Sequence, residues 1–443
     1  MAFSSGGCAV LSDSPHLERG LGLAGATATN MLGMIGVGPF LTLPAMLTAM
    51  GGPHILYAWL AGALLALCDG LVYAQLAAAL PGSGGSYVYL REAYRPFGLG
   101  KVMAFLYIFQ VILVAPLSIS AGGVGFASYL SFFVPLSNLH KGLAAATVCA
   151  LMTALLYRPT STLSKMSVAM LVVVILTVAW VIGAGLFSFS WAQAFDFPRD
   201  DRLWQHVGAV SLLAMYNYGG YNNVCNLGDE IRTPHKTMPR AIVGSILLVV
   251  ALYLALSTVI LGTVPWRQAA ASPTIASDFI GRVNGPLAAQ VMTGLILFVT
   301  AASLFSVILG YSRVPYAAAL DGQFFSVFAR VHPRGHFPHI SLLTLGGLSL
   351  PFCFLSLERL ISWLILVQIL SQFLWQCAGV ILLRRYRRDL KQPFTMWFYP
   401  LPALLSLGLW SYVFWSAPRD GQLFALAFLV TGLIAFRLFE RRS

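Results

Sequence analysis

Two short glycine-rich runs interrupt long apolar stretches and carry the groups best able to bind a small molecule. Residues 33–39 read GMIGVGP, and residues 216–223 read YNYGGYNN. Glycine costs about 1 kcal/mol and proline about 3 kcal/mol inside a helix, so each run predicts a helix break. A break exposes N–H groups that suit a carboxylate and carbonyl oxygens that suit an ammonium group. The pair therefore predicts a binding site for a zwitterion.

Asp69 is the only carboxylate well inside an apolar stretch of the chain. Charge is costly at such a position, and functional roles are common there. Apolar surroundings favour the neutral form of the acid, which suits a proton carrier. The alternative is a protonated or hydrogen-bonded aspartic acid that only fixes helix packing. Asp69 is thus a candidate for coupling transport to protons.

Four other polar side chains are candidates for the same region. Ser303 and Ser306, together with carbonyl groups of the first broken helix, are possible sodium ligands, although buried serine more often bonds its own or a neighbouring helix. Gln110 and Gln372 are candidates for the lining of the pocket, with hydrogen bonding between helices as the alternative. We expect protons rather than sodium as the coupling ion, and we predict no bound metal or other cofactor.

Composition and motifs argue against an enzyme and against a soluble protein. There is no Walker motif, no Ser-His-Asp order and no HExxH motif, and the six cysteines occur singly without metal-binding or disulfide spacing. Of 443 residues, 58% are apolar and 9% are charged, whereas soluble domains average about 25% charged residues. With a mean hydropathy of +0.78, the chain is predicted to be an all-α polytopic membrane protein.

Twelve apolar blocks are long enough to form membrane spans, which need about 20 residues each. All are predicted to be helices, because lipid tolerates only backbone whose hydrogen bonds are satisfied internally. The blocks cover residues 22–49, 54–80, 101–133, 142–157, 167–190, 204–228, 241–264, 286–318, 340–357, 360–383, 398–416 and 422–438.

The formal net charge of +12 is explained by the position of the basic residues in short loops between the blocks. With the N-terminus inside, 20 of the 27 lysines and arginines fall on the inner side, as the positive-inside rule requires. Anionic lipid is therefore the expected partner of this charge, and nucleic acid is not. We predict an integral multi-pass protein of the plasma membrane with both termini cytoplasmic.

The two breaks occupy the first and the sixth block, five blocks apart. Paired broken helices at corresponding positions indicate an inverted repeat with the substrate site between the breaks; close packing of helices at glycine is the alternative. The predicted organisation is a cytoplasmic segment (residues 1–21), two five-helix repeats (22–190 and 204–383) and two additional helices (398–438).

The motifs around these breaks resemble those of the amino acid-polyamine-organocation (APC) superfamily, over blocks one to eleven in order. GVGPFLTLP resembles the family's G-S-G-I-F…P, and DEIRTP…PRA resembles its E-x-x-x-P…P-R-A. The matching stretches are residues 36–44 (GVGPFLTLP), 73–76 (YAQL), 81–89 (PGSGGSYVY), 229–234 (DEIRTP), 239–241 (PRA), 312–317 (SRVPYA), 321–322 (DG), 392–394 (QPF) and 399–402 (YPLP).

This resemblance implies a LeuT-like fold of five plus five helices with two more at the C-terminal end, and alternating-access transport of amino acids or related amines. It also implies roles for residues at the two breaks. The backbone of Gly36, Val37 and Gly38 would receive a substrate carboxylate, carbonyls near Met34 and at Gly219 and Gly220 would receive the amino group, and Tyr216 would cap the substrate. Val37 replaces a common serine, and Pro39 offers no N–H, which weakens the expected hold on a carboxylate.

The predicted function is secondary active transport of amino acids, coupled to protons by symport. A polyamine or organic amine transporter and an amino-acid exchanger are the alternatives. Aromatic faces at Tyr216, Tyr218 and Tyr221 would suit a cation, whereas the exposed backbone of the first break favours a carboxylate. The sequence does not set the side-chain specificity, the direction of transport or the oligomeric state.

Overall fold

The computed structural model describes residues 20–36, 38–82, 84–158, 160–198, 203–335 and 337–440. Within these ranges the protein is helical and contains no named strand. The single extended pairing is an isolated parallel bridge between Leu21 and Ile231. The predicted all-helical class is therefore confirmed.

Nineteen α-helices lie in the described ranges. They are α1 (Leu23–Met34), α2 (Gly38–Met50), α3 (Ile55–Ala79), α4 (Ser86–Tyr94), α5 (Gly100–Leu130), α6 (Asn138–Leu155), α7 (Thr160–Leu186), α8 (Trp191–Ala194), α9 (Leu203–Tyr218), α10 (Pro234–Thr263), α11 (Trp266–Ala270), α12 (Ile275–Asn284), α13 (Pro286–Tyr311), α14 (Arg313–Leu320), α15 (His339–Phe352), α16 (Leu357–Gln368), α17 (Leu374–Tyr386), α18 (Leu401–Ser416) and α19 (Arg419–Glu440).

Seven helical segments in the described part of the chain are long and apolar enough to cross a membrane. The pair α1 and α2, bent by 40°, makes an eighth if it is one span, and α15 and α18 are shorter apolar helices. Every predicted apolar block contains at least one helix. The protein is therefore a polytopic membrane protein, and the count of twelve spans stays a prediction.

The helices pack in two main groups. In the first group α3 contacts α9 and α10, and α10 also contacts α1. In the second group α5 contacts α6, α13 and α15. α1 also contacts α13, so the broken first helix lies where the two groups meet.

Three helices are interrupted inside apolar blocks. The first break separates α1 from α2 around Gly36, as predicted. The second ends α9 at Tyr218, and the chain continues as 3-10 turns at Asn223–Asn226 and Gly228–Glu230 rather than as a second α-helical half. A π-helical segment at Ile369–Phe373 joins α16 to α17; nothing in the residue types there predicts it.

Candidate functional site

The two breaks contact each other directly through their backbones. Gly220 has a φ of +113°, and a Cβ at this position would lie 2.7 Å from the carbonyl carbon of Gly33. A Cβ at Gly38 would in turn overlap the side chain of Asn217. Glycine is required at these positions, because any side chain would push the two broken helices apart. The glycines therefore serve both close packing and helix interruption.

A cavity of about 110 Å³ lies beside the two breaks. It is small compared with the roughly 300–1,000 Å³ typical of ligand pockets. Its wall contains backbone, hydroxyl, amide and aromatic groups but no charged side chain. The lining residues are Gly33, Met34, Gly36, Gly38, Ser118, Gly122, Met215, Tyr216, Asn217, Gly219, Gly220, Tyr221, Asn222, Asn223, Thr300, Ser303, Leu304, Val307, Tyr311, Leu364, Ile365, Gln368, Phe373 and Trp410.

Most residues predicted for substrate binding line this cavity, and the rest lie elsewhere. Val37 lies outside the described residues. Asp69, Gln110, Ser306 and Gln372 are buried beyond the lining. The predicted residues found in the lining are Met34, Gly36, Gly38, Tyr216, Gly219, Gly220 and Ser303.

The carbonyl group of Met34 already has two hydrogen-bond donors. The Tyr253 hydroxyl from α10 donates to it at 2.6 Å, and the Gly36 amide donates at 3.1 Å. A carbonyl oxygen has two lone pairs, so this atom has little capacity left for a substrate ammonium group. The Gly219 carbonyl, in contrast, accepts no hydrogen bond from the described residues. Of the two predicted carbonyl positions, Gly219 is the better placed.

Asn30, which the sequence analysis did not single out, holds the second break in place. Its side chain is fully buried in α1. The amide group donates to the Tyr221 carbonyl at 2.6 Å, and its oxygen accepts from the Val224 N–H at 2.9 Å. These bonds satisfy backbone groups of the segment that follows α9 and lacks α-helical hydrogen bonds. In the sequence, the only indication of this role is the presence of an asparagine in a mostly apolar helix.

Asp69 is linked to the cavity through one tyrosine. Its carboxylate is fully buried and accepts a hydrogen bond from the Tyr221 hydroxyl at 2.5 Å. The Ser406 hydroxyl and the Cys377 thiol donate to its other oxygen at 3.2 Å and 3.5 Å. Tyr221 itself lines the cavity. A change of position at the second break would therefore change the environment of Asp69.

The two glutamines lie in one buried network between helices. The Gln110 amide donates to the Gln372 carbonyl oxygen at 2.5 Å. The Gln372 amide donates to the hydroxyl groups of Tyr73 and of Ser86, the latter at 3.0 Å. The network joins α3, α4, α5 and the π-helical segment of residues 369–373. Its contacts are those of interhelical hydrogen bonding.

The two serines occupy different positions along α13. The Ser306 hydroxyl donates to the Thr29 carbonyl at 2.5 Å and so connects α13 to α1. Ser303 lies one turn away and lines the cavity. A Cβ at Gly36 would lie 2.7 Å from the Ser303 oxygen, so the first break passes directly over this hydroxyl group.

A buried ion pair lies near the start of α1. Arg313 Nε lies 2.8 Å from Glu230 Oε1, with the side chains 2% and 0% exposed. On the same side Leu21 forms two backbone hydrogen bonds, with the Glu230 carbonyl at 2.9 Å and the Arg232 amide at 2.8 Å. The start of the first broken helix is thus attached to the segment that follows the second break.

Comparisons with known proteins place the sequence among membrane transporters. The sequence profile of the amino acid permease family matches residues 21–436. Three similar proteins come from Bacillus subtilis (strain 168). The methylthioribose transporter is 23% identical over 97% of this chain and 95% of its own length. The branched-chain amino acid permease BcaP is 25% identical over 98% and 96%, and the serine/threonine exchanger SteT is 26% identical over 88% and 89%.

Proposed function

This chain belongs to the amino acid permease family, and from that membership we propose that it is a proton-coupled transporter that moves a small neutral amino acid by alternating access. Its family and relatives are transporters rather than enzymes. The single observation that carries the substrate class is the meeting of two unwound helices at one uncharged cavity.

An uncharged wall favours a zwitterion over a polyamine. A zwitterion would be bound by dipoles: the positive end of the α2 dipole, with the Gly38 N–H, would face the carboxylate, and the Gly219 carbonyl would face the ammonium group. A polyamine would require a carboxylate in the cavity wall, and Asp69 lies behind Tyr221 with three donors already bound. The cavity of about 110 Å³ favours a small side chain.

Asp69 supports the coupling to protons. Burial favours the neutral acid, whereas three hydrogen-bond donors favour the carboxylate. Since Tyr221 contacts both the cavity and Asp69, binding of substrate at the second break would alter the hydrogen bonds to the carboxyl group of Asp69.

The two packing groups support a LeuT-like arrangement of twelve spans. Each group combines helices from both predicted repeats: α1 and α3 pack with α9 and α10, and α5 and α6 pack with α13 and α15. The excess of basic residues on one side supports cytoplasmic termini. In this orientation the Arg313–Glu230 pair lies on the cytoplasmic side of the protein.

Uptake into proteoliposomes tests the substrate and the coupling ion together. Labelled alanine, serine, leucine, methylthioribose and putrescine are offered with and without an inward proton gradient. We expect gradient-stimulated uptake of a neutral amino acid. Uptake of putrescine alone would overturn the proposed substrate class, and uptake of methylthioribose alone would show that a carboxylate is not needed.

Three variants separate coupling from folding. Asp69→Asn is expected to retain exchange of internal for external substrate but to lose stimulation by the gradient, while Tyr221→Phe shifts the pH profile of uptake. Asp420→Asn, at the exposed start of α19, is the matched control and should behave as the wild type. Gradient-stimulated uptake by Asp69→Asn would contradict the assigned role. Transport by the wild type only when the vesicles are preloaded would favour the exchanger.

A further inference from the structure

One glutamine in the wall of the cavity beside the breaks has hydrogen-bonding groups that the protein does not use. Gln368 lies at the end of α16, lines this cavity and is 8% exposed. Its amide nitrogen donates to the Tyr311 hydroxyl at 3.1 Å. The second N–H group of this amide and its oxygen have no hydrogen-bond partner among the described residues. Gln368 therefore has one donor and one acceptor for an occupant of the cavity.

Tyr311 holds this amide in place. It lies at the end of α13 and also lines the cavity, so the hydrogen bond between the two side chains joins α13 to α16. If the amide were reversed, the tyrosine hydroxyl would donate to the glutamine oxygen, and a donor and an acceptor would again be left over. In either orientation the pair is a neutral surface that can both donate and accept.

The amide groups at the second break match the two charged groups of an amino acid. Both N–H groups of Asn217 are used, because they donate to the Leu213 carbonyl and the Thr42 hydroxyl, each at 2.7 Å. Its buried oxygen has no partner among the described residues, and neither has the buried amide nitrogen of Asn223. Both residues line the cavity. The oxygen suits a substrate ammonium group, and the nitrogen suits a carboxylate.

The glutamine and the tyrosine belong to different helices from the breaks. The breaks involve α1, α2 and the chain that follows α9, whereas the pair belongs to α13 and α16. An amino acid that is held at the breaks by its ammonium and carboxylate groups has only its side chain left to contact another wall. Leu364 and Ile365, one turn before Gln368 on α16, also line the cavity and suit the carbon atoms of that side chain.

The chemistry of the amide selects among side chains. A hydroxyl or carboxamide group both donates and accepts, so it uses both remaining groups of Gln368. An aliphatic side chain would remove the amide from water without replacing its hydrogen bonds, which is unfavourable. A charged side chain would be buried without an opposite charge, because the lining contains no charged residue.

We propose that the transported amino acid has a hydroxyl or carboxamide side chain and that Gln368 binds this group. Gln368 contacts the substrate, and Tyr311 is a positioning residue that acts through the amide. This assignment rests on the proposed transport of a neutral amino acid and adds the class of its side chain.

Uptake of isosteric amino acids tests the assignment. Threonine and valine differ by the exchange of a hydroxyl for a methyl group, and asparagine and leucine have similar shapes but differ in the carboxamide. Initial rates for the four labelled amino acids are measured in proteoliposomes at one fixed proton gradient. We expect the specificity constant of at least one polar amino acid to exceed that of its apolar isostere by about tenfold or more.

Two results would count against the proposals in different ways. Equal constants within both pairs, or higher constants for valine and leucine, would overturn the assignment of the side chain and leave amino acid transport intact. Uptake of none of the four, with none of alanine or serine either, would overturn the proposed function and the assignment with it.

Gln368→Met keeps the length of the side chain and removes its hydrogen-bonding groups. We expect the ratio of polar to apolar specificity constants to fall to about one, through a higher KM for the polar amino acid, while uptake of the apolar isostere persists. Gln290→Met, at an exposed position of α13, is the matched control and should keep the wild-type ratio. An unchanged ratio in Gln368→Met, or an equal loss for all four amino acids, would show that Gln368 does not bind the side chain.

Tyr311→Phe gives a second test that leaves the glutamine in place. Loss of the hydroxyl frees the amide to rotate, so we expect the ratio to fall by about threefold. The double variant with Gln368→Met should show no further fall, because both residues act on the same substrate group. A full additional loss in the double variant would contradict the positioning role of Tyr311.

Discussion

The hydroxyl group of Tyr253 lies 2.6 Å from the carbonyl oxygen of Met34, at the end of α1. The same hydroxyl lies 3.3 Å from the carbonyl oxygen of Asn217 near the end of α9. One side chain from α10 thus contacts both broken helices at the points where they unwind. Tyr253 fixes the distance between the two backbone segments that form the cavity.

Replacement of Tyr253 by phenylalanine removes this shared hydroxyl and leaves buried carbonyl groups without a partner. An unsatisfied buried carbonyl group typically costs about 1–3 kcal/mol of free energy. If this cost falls on the substrate-binding conformation, the specificity constant for uptake decreases about tenfold or more. Uptake kinetics in proteoliposomes measure it. The control is Tyr129→Phe in α5, whose buried hydroxyl forms no hydrogen bond with either broken helix in the described part of the chain. Equal effects of the two variants would refute a specific role for Tyr253.

Gly220→Ala places a methyl group against the backbone of Gly33, at a φ that non-glycine residues rarely adopt. The two breaks must then separate, so we expect loss of transport and a lower melting temperature. Gly294→Ala in α13 is the matched control, because nothing lies within 4 Å of its added Cβ, and alanine favours the helix. Normal uptake by Gly220→Ala would show that the breaks are not in contact in the working protein.

Loss of one partner of the Arg313–Glu230 pair removes the opposite charge from a buried ionised group. Such a loss costs about 3–5 kcal/mol, so Arg313→Met and Glu230→Met should each lower the melting temperature strongly. The double variant Arg313→Met/Glu230→Met should be more stable than either single variant, because it buries no lone charge. Thermal unfolding in detergent measures all three, with the exposed Arg282→Met as control. Additive losses in the double variant would contradict the pairing.

Glu92, on the short helix α4 between the membrane helices, connects several arginines. Its carboxylate lies 2.7 Å from Arg387 and 3.1 Å from Arg91. Partial burial opposes its ionisation, but the two guanidinium groups outweigh this effect and lower the pKa of Glu92 below its usual value. The ion pairs join α4 to the end of α17.

This lowered pKa predicts how stability depends on pH. A carboxyl group with a depressed folded-state pKa stabilises the protein above its usual value of 4.5, and the contribution is lost as the pH falls through the folded-state pKa. The melting temperature should therefore exceed that of Glu92→Gln by about 1–2 °C at pH 7, and the difference should vanish in acid. Glu358→Gln, at an exposed carboxylate without a salt bridge to described residues, is the control. A difference that persists in acid would refute the interpretation.

Sequence patterns predicted the helix breaks and the family but not the contacts made by the side chains around them. Gly36 and Gly219 could be identified because glycine in an apolar block is costly to a helix. Tyr253 and Asn30 gave little signal, since a single polar residue in an apolar helix is common. Their partners lie 219 and 191 residues away along the chain. Such pairs follow from helix packing, which no local pattern reveals.

By itself the sequence determined that this is a helical membrane protein, where its first and sixth apolar blocks are interrupted and which family it belongs to. These properties depend on local composition and spacing. Lipid favours apolar helices, because their backbone hydrogen bonds are satisfied within the helix. Glycine destabilises a helix regardless of what that helix packs against. Only the tertiary structure decided that the Met34 carbonyl accepts a hydrogen bond from the Tyr253 hydroxyl. It also decided that Asp69 is connected to the cavity through a hydrogen bond with Tyr221. Gln110 and Gln372 bind each other outside the cavity. These relationships depend on how distant helices dock, and docking is set by the shapes of whole surfaces rather than by any single segment.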